Sequence, residues 1–125
     1  MRSAVQARLA LRIKGLSLVW RAFFNFQAMF YFYVLYSLKD GRLYKGSTSD
    51  LLRRLQQHNA GRTPSTKNRR PLILLYFEEF EQKAEAAKRE AQAKTLEGGA
   101  ALKRLLMDKA LIDEQGKIND LSSAG

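Results

Sequence analysis

Residues Phe30-Tyr-Phe-Tyr-Val-Leu-Tyr36 form an unbroken aromatic and aliphatic run, of strand length and strand composition. Lys39-Asp-Gly41 follows, and Arg42-Leu-Tyr-Lys-Gly46 resumes an extended pattern. Asp-Gly between two such runs predicts a β-hairpin. Beyond it, Ser49 or Asp50 caps a helix over Leu51–His58, which Asn59 and Gly61 end because both tolerate the left-handed conformation. Residues 61–71 read as a loop holding Pro64 and Pro71. Its cations Arg62, Lys67, Arg69 and Arg70 are unmatched by any acid.

Leu72–Phe77 reads as a buried strand, followed by a helix over Gln82–Leu96 that Gly98-Gly99 is expected to stop. A last helix over Ala101–Ile112 carries Leu102, Leu105, Leu106 and Leu111 at helical spacing and reads as a packing element. The tail after Gly116 is expected to fray. The element order is strand, strand, helix, strand, helix, helix, an α+β chain without internal repeats.

At 125 residues the chain is one domain, or one domain with a tail. It has 22 basic and 12 acidic side chains, a net charge of +10, which favours a polyanionic partner. The charge is uneven: residues 1–28 contain Arg2, Arg8, Arg12, Lys14 and Arg21 and no acid. An Arg-rich, acid-free leader has the composition of an organellar transit peptide. The alternative reading of the same residues is a non-native extension upstream of a true start at Met29, or else a short amphipathic helix. Arg21 interrupts the apolar stretch 16–26, so a secretory signal is a poor match. A membrane span over Leu16–Tyr36 would carry Arg21, Asn25 and Gln27. The chain has no cysteine, which excludes disulfides, thiolate zinc sites and thiol catalysis. Its single histidine, His58, excludes His-cluster metal sites.

Some polar residues fall where their placement needs a reason. Tyr33 and Tyr44 lie on facing strands of the hairpin, Arg54 and His58 are one helical turn apart, and Glu90 sits on the next helix amid Lys88, Arg89 and Lys94. Phenols, a guanidinium, an imidazole and a carboxylate are the parts needed to hydrolyse a phosphodiester. A carboxylate holds a divalent ion, arginine neutralises phosphate charge in the transition state, and a phenol accepts the water's proton if nearby cations lower its pKa from about 10. Each also has an ordinary structural reading: tyrosines as sheet core, Arg54 and His58 as a solvent-facing helix surface, Glu90 as one helix-face acid among several. These residues alone indicate a basic α/β domain able to bind phosphate.

From about Phe30 to Leu96 the sequence resembles the GIY-YIG nucleases, most of all their small stand-alone bacterial members. The likeness is more distant to the nuclease half of the excision-repair incision subunit and to homing endonucleases. Tyr31-Phe-Tyr33 stands for the first motif and Tyr44-Lys-Gly46 for the second. Asp50–Asn59 matches the helix bearing the family arginine, here Arg54, with His58 one turn later. Ser65–Pro71 matches the basic loop, and Glu85–Lys94 the helix whose glutamate falls on Glu90. Four departures stand out. Tyr31 replaces the glycine of the first motif, and Lys45 an aliphatic residue in the second. Ser47 stands where some relatives carry lysine. Ala93 replaces a large aliphatic, which predicts looser packing of the helix bearing Glu90.

The resemblance implies a small three-stranded antiparallel sheet flanked by helices, an α/β sandwich. Residues 29–97 would be the nuclease domain, 1–28 a basic extension, and 98–125 a C-terminal helix with a frayed tail. It implies a metal-dependent endonuclease, of the DNA-repair type, using one Mg²⁺ or Mn²⁺ on Glu90. Tyr33, Tyr44, Arg54, His58 and Glu90 would be catalytic, and Lys45, Arg53, Arg62, Lys67, Arg69 and Arg70 would contact nucleic acid. The products would be 5′-phosphate and 3′-hydroxyl ends. DNA is the expected partner, branched or single-stranded forms and RNA remaining open, with no membrane partner and a bacterial-type cytoplasmic location. Two other functions compete: a binding module that kept the scaffold without efficient cleavage, and an interaction protein whose leader binds membrane or partner. An acid facing a polyanion is useless to a pure binder, so Glu90 favours the nuclease.

Overall fold

A computed structural model describes residues 29–119; the expectations for the leader 1–28 and for residues 120–125 lie outside the described residues. The hairpin forms as its sequence predicts, from β1 (Phe30–Ser37) and β2 (Leu43–Thr48), in a register that sets Tyr33 opposite Gly46 and Leu35 opposite Tyr44. Its turn is closed by the Ser37 amide on the Arg42 carbonyl at 3.0 Å, with Gly41 at φ +68° supplying the left-handed residue. Asp40 accepts from the Arg42 amide at 2.9 Å, a local bond that steers the chain back.

The third strand, β3 (Leu72–Phe80), pairs antiparallel with the free side of β1, giving the order β2-β1-β3. Because β1 is central, its residues Tyr31 to Ser37 are all buried. Side chains alternate across the sheet. Tyr31, Tyr33 and Leu35 face one side with Leu51, Leu72 and Phe77; Phe32, Val34 and Tyr36 face the other with Leu102, Leu106 and Ile112. Pairing steps from Val34↔Tyr76 to Leu35↔Leu74. Leu75 is thus an extra residue in β3, and the bulge lets Leu75 and Tyr76 enter the same core in succession.

One helix, α1 (Leu51–Asn59), covers the Tyr33 face. Asp50 rather than Ser49 caps it, accepting from the Arg53 amide at 3.1 Å, and Gly61 at φ +78° follows its end. Two helices, α2 (Lys83–Ala93) and α3 (Leu96–Asp108), cover the opposite face, completing the α+β sandwich.

The helix boundaries here differ from the sequence expectation. Gly98-Gly99 does not stop α2; both glycines lie in the first turn of α3, which Thr95 caps by accepting from the Gly98 amide at 2.9 Å. Gly98 serves close approach instead of chain breaking. A Cβ on Gly98 would lie 1.8 Å from the Gln92 carbonyl oxygen, backbone that cannot swing away. Gly98→Ala should therefore destabilise the fold by about 2 kcal/mol, the overpacking cost outweighing the helix-propensity gain. A melting temperature lowered by roughly 10 °C would register it; an unchanged one would show that α2 and α3 separate freely.

The last helix ends at Asp108, not Ile112, and the expected domain boundary at 97/98 falls inside α3, whose Leu102 and Leu106 belong to the common core. The chain from Gly116 does not fray through Asn119. Ile112 bridges to Ile118, and the Asn119 amide reaches the Leu111 carbonyl at 3.2 Å. Nor does Ala93 loosen α2: it is fully buried, and the Lys45 ammonium caps its carbonyl at 3.0 Å. Two departures from the family pattern thus meet each other. Burial, together with the nearby charges of Lys103 and Lys94, lowers the pKa of Lys45.

Candidate active site

Tyr33 reaches its position because β1 is the central strand and Gly46 stands opposite it. A Cβ on Gly46 would lie 2.5 Å from the Tyr33 oxygen, so the second-motif glycine is the opening through which the phenol passes. Tyr44, next to it on β2 and on the same face, sets its ring 6.4 Å from that of Tyr33 and 4.9 Å, edge on, from His58. From α1, Arg54 Nε donates to the Tyr33 oxygen at 3.4 Å, and its Nη1 donates to Gln57 Oε1 at 3.2 Å. His58 Nε2 lies 2.9 Å from the same phenolic oxygen, while Nδ1 lies 2.7 Å from Thr66 Oγ1.

His58 is therefore no solvent-facing helix residue. It is fully buried, wedged between Tyr33 and Thr66. The expectation that cations would lower the phenol's pKa is also overturned. Burial, the largest influence, pushes Tyr33 up to about 12 against the opposing hydrogen bond from Arg54; the charges of Tyr44 and Glu90 add to the rise. Burial, reinforced by the charge on Arg54, pushes His58 down to about 4. The hydrogen bond to Tyr33 raises Arg54 further above its ordinary value. At neutral pH the site is a neutral phenol, a neutral imidazole and a fixed guanidinium.

The His58 shift has a measurable consequence. An unfolded chain protonates the ring near pH 6.5, the folded one near 4, so between these values the unfolded state binds the extra proton. Stability is full above about pH 6.5 and falls as the pH drops toward 4. Asp40, held down to about 2 by Arg69, acts in a separate, more acidic window. Denaturant unfolding at about pH 7 and about pH 4.5 should show the loss, and His58→Gln should flatten it; an unchanged slope in that variant would contradict the assignment.

Glu90 stands on the other side of the sheet, on α2, and meets the tyrosine face at the edge strand β2. Ser47 Oγ donates to its Oε1 at 2.7 Å and Lys94 Nζ to its Oε2 at 2.6 Å, while its charge is felt at Tyr33. Ser47, standing in place of a lysine, thus orients the carboxylate. Among the described residues no three His, Cys, Asp or Glu side chains converge. The donor set is one carboxylate with a hydroxyl beside it, which fits a hard divalent ion that keeps most of its waters. The Lys94 pair is half exposed on the lysine side and weak enough to be displaced.

Two clefts flank α1, the first of them polar. The first, about 310 Å³, runs along Ser47, Thr48, Ser49, Asp50, Arg53, Arg54 and Gln57 at the N-terminal end of the helix. The second, about 500 Å³, lies at its other end among Lys39, Asn59, Lys67, Asn68, Arg70 and Pro71. The expected nucleic-acid contacts divide accordingly. Arg53, Arg62, Lys67 and Arg70 are exposed. Arg69 is committed to Asp40 at 2.6 Å and to the Leu43 carbonyl at 3.3 Å, and Lys45 to the end of α2. Lys39 and Thr66 were not singled out in the sequence. A turn lysine and a loop threonine carry no local signal; the fold sets Lys39 at the second cleft and Thr66 against His58.

A family model described as the GIY-YIG catalytic domain matches residues 29–101. A UPF0213 protein of Listeria monocytogenes is 49% identical over 67 residues, covering 53% of this chain and 73% of the relative. A UPF0213 protein of Staphylococcus haemolyticus is 40% identical over 79 residues, 62% of this chain and 95% of the relative. Among solved structures, the solution NMR structure of the UPF0213 protein from Bacillus halodurans is 32% identical, with a TM-score of 0.39, over 62% of this chain and 84% of that one.

Proposed function

The chain belongs to the GIY-YIG family, and from that premise we propose that it is a divalent-metal-dependent endonuclease acting on DNA. One observation carries the proposal: a buried phenol, reached past Gly46, hydrogen-bonded to both a guanidinium and an imidazole within 3.4 Å, beside a polar cleft. A phenol kept only as core would not need both partners.

Arg54 and Arg53, at the cleft wall, bind the scissile phosphodiester, and Arg54 stabilises the charge that grows on it in the transition state. Neither Tyr33 nor His58 is charged at rest, so proton acceptance is coupled to attack. As the water's oxygen bonds to phosphorus, its proton passes to the Tyr33 oxygen. The phenol's own proton passes to Nε2 of His58, 2.9 Å away. Tyr44 packs against both rings and fixes their angle. Glu90, oriented by Ser47, would hold the ion, which supplies charge neutralisation at the phosphate when bound. Arg62, Lys67 and Arg70, joined by Lys39, extend the phosphate-binding surface to the far end of α1.

Incubation of the full chain with labelled single-stranded, duplex and branched DNAs, and matching RNAs, with and without Mg²⁺ or Mn²⁺, tests the proposal. Metal-dependent cleavage of DNA leaving 5′-phosphates is expected. Binding without cleavage of any substrate would put the binding-module reading in its place.

A further inference from the structure

We infer that Thr66 is a positioning residue: its hydroxyl takes the Nδ1 proton of His58 and so leaves Nε2 bare toward the Tyr33 hydroxyl. The inference rests on the reading of Tyr33 as the proton acceptor, and it adds a residue that neither motif contains.

The hydrogen-bond directions follow from what each group can donate. Arg54 Nε–H is a donor only, so at 3.4 Å the Tyr33 oxygen is its acceptor. The phenol's own hydrogen then points to His58 Nε2 at 2.9 Å, which has to be unprotonated to receive it. In a neutral imidazole the proton is on Nδ1, where Thr66 Oγ1 stands 2.7 Å away as acceptor. The Thr66 hydroxyl hydrogen is left for the Thr63 carbonyl at 3.5 Å. Every donor in this row meets an acceptor. The opposite tautomer would make both Arg54 Nε and His58 Nε2 donors to the phenolic oxygen and leave the phenol's own hydrogen with neither as its acceptor.

Burial makes the arrangement binding. Tyr33 is 2% exposed, and His58 and Thr66 are 0% exposed, so water does not substitute for the threonine. The backbone fixes Thr66 as well: its amide donates to the Thr63 carbonyl at 3.1 Å, and its carbonyl accepts from the Arg69 amide at 2.9 Å. The basic loop therefore has a second task besides presenting cations. It delivers the hydroxyl that decides which nitrogen of the imidazole faces the reacting phenol.

His58 is the chain's one histidine, so its ring signals are unambiguous in the NMR spectrum of the isotope-labelled full chain. At neutral pH the wild type and Thr66→Ser should both show Nδ1 protonated and Nε2 free. Thr66→Val, which keeps the shape and removes the acceptor, should shift the ring toward the Nε2–H tautomer. It should lower kcat about tenfold with KM unchanged, a part of the ~10²–10⁴ that acid–base catalysis supplies, and Thr66→Ser should restore it. A wild-type ring protonated on Nε2, or a Thr66→Val chain with unaltered tautomer and kcat, would overturn the assignment. Should no chain cleave nucleic acid, the nuclease reading falls, and the tautomer comparison alone supports or overturns the role of Thr66.

Discussion

Tyr33→Phe should reduce cleavage by about 10²–10⁴-fold while nucleic acid still binds, because it deletes one oxygen at the point where three groups meet. That oxygen accepts from Arg54 and shares its hydrogen with His58. The cost is not confined to turnover. His58 Nε2 would be left buried without its partner, a loss of about 1–3 kcal/mol. Thermal unfolding should therefore move down by several degrees, with a cooperative transition retained. Single-turnover rates at saturating DNA separate the two effects. A phenylalanine chain that cleaves at the wild-type rate would remove Tyr33 from the reaction.

Arg54→Ala should behave differently, losing affinity and turnover together. The guanidinium lines the cleft that is to hold the phosphate, so it serves the bound substrate as well as the transition state. It is also the cation opposing the burial that pushes Tyr33 up to about 12, so its removal makes the phenol a still harder group to ionise. A loss of about 10²–10³ in turnover is expected, accompanied by weaker binding. Arg54→Lys should recover only part of either, since an ammonium does not reproduce the planar fork that reaches Tyr33 and Gln57 at once. An alanine variant that loses affinity but turns over normally would confine Arg54 to substrate binding.

The strands, the hairpin and α1 were legible in the sequence because each carries a local signal: the aromatic run, Asp-Gly, and a capping aspartate before an amphipathic turn. The shared face of Tyr33 and Tyr44 followed from the same pattern once the register was fixed. What stayed hidden depends on the third dimension. Gly98-Gly99 reads as a breaker along the chain, yet the need for Gly98 is set by the carbonyl of Gln92 against which α3 packs. His58 reads as a surface residue until the loop carrying Thr66 closes over it. The direction of the Tyr33 shift is a contest between burial and one nearby cation, and sequence gives the cation but not the depth. Arg69 and Lys45 read as free cations, whereas Asp40 and the end of α2 take them up.

Glu90 and the Tyr33 cluster, approaching from opposite faces at the sheet edge, are proposed to form one metal-dependent hydrolytic site. The most direct test is cleavage of labelled DNA by the wild type and Glu90→Gln, with Mg²⁺ or Mn²⁺, at matched DNA occupancy. The amide keeps the shape and an acceptor for Ser47 but removes the charge that a hard cation needs. It also removes a negative charge that repels phosphate. Rapid metal-dependent cleavage is expected of the wild type and a rate at least ~10²-fold lower of Glu90→Gln, with DNA binding equal or tighter. Equal rates for the two chains would contradict the proposal.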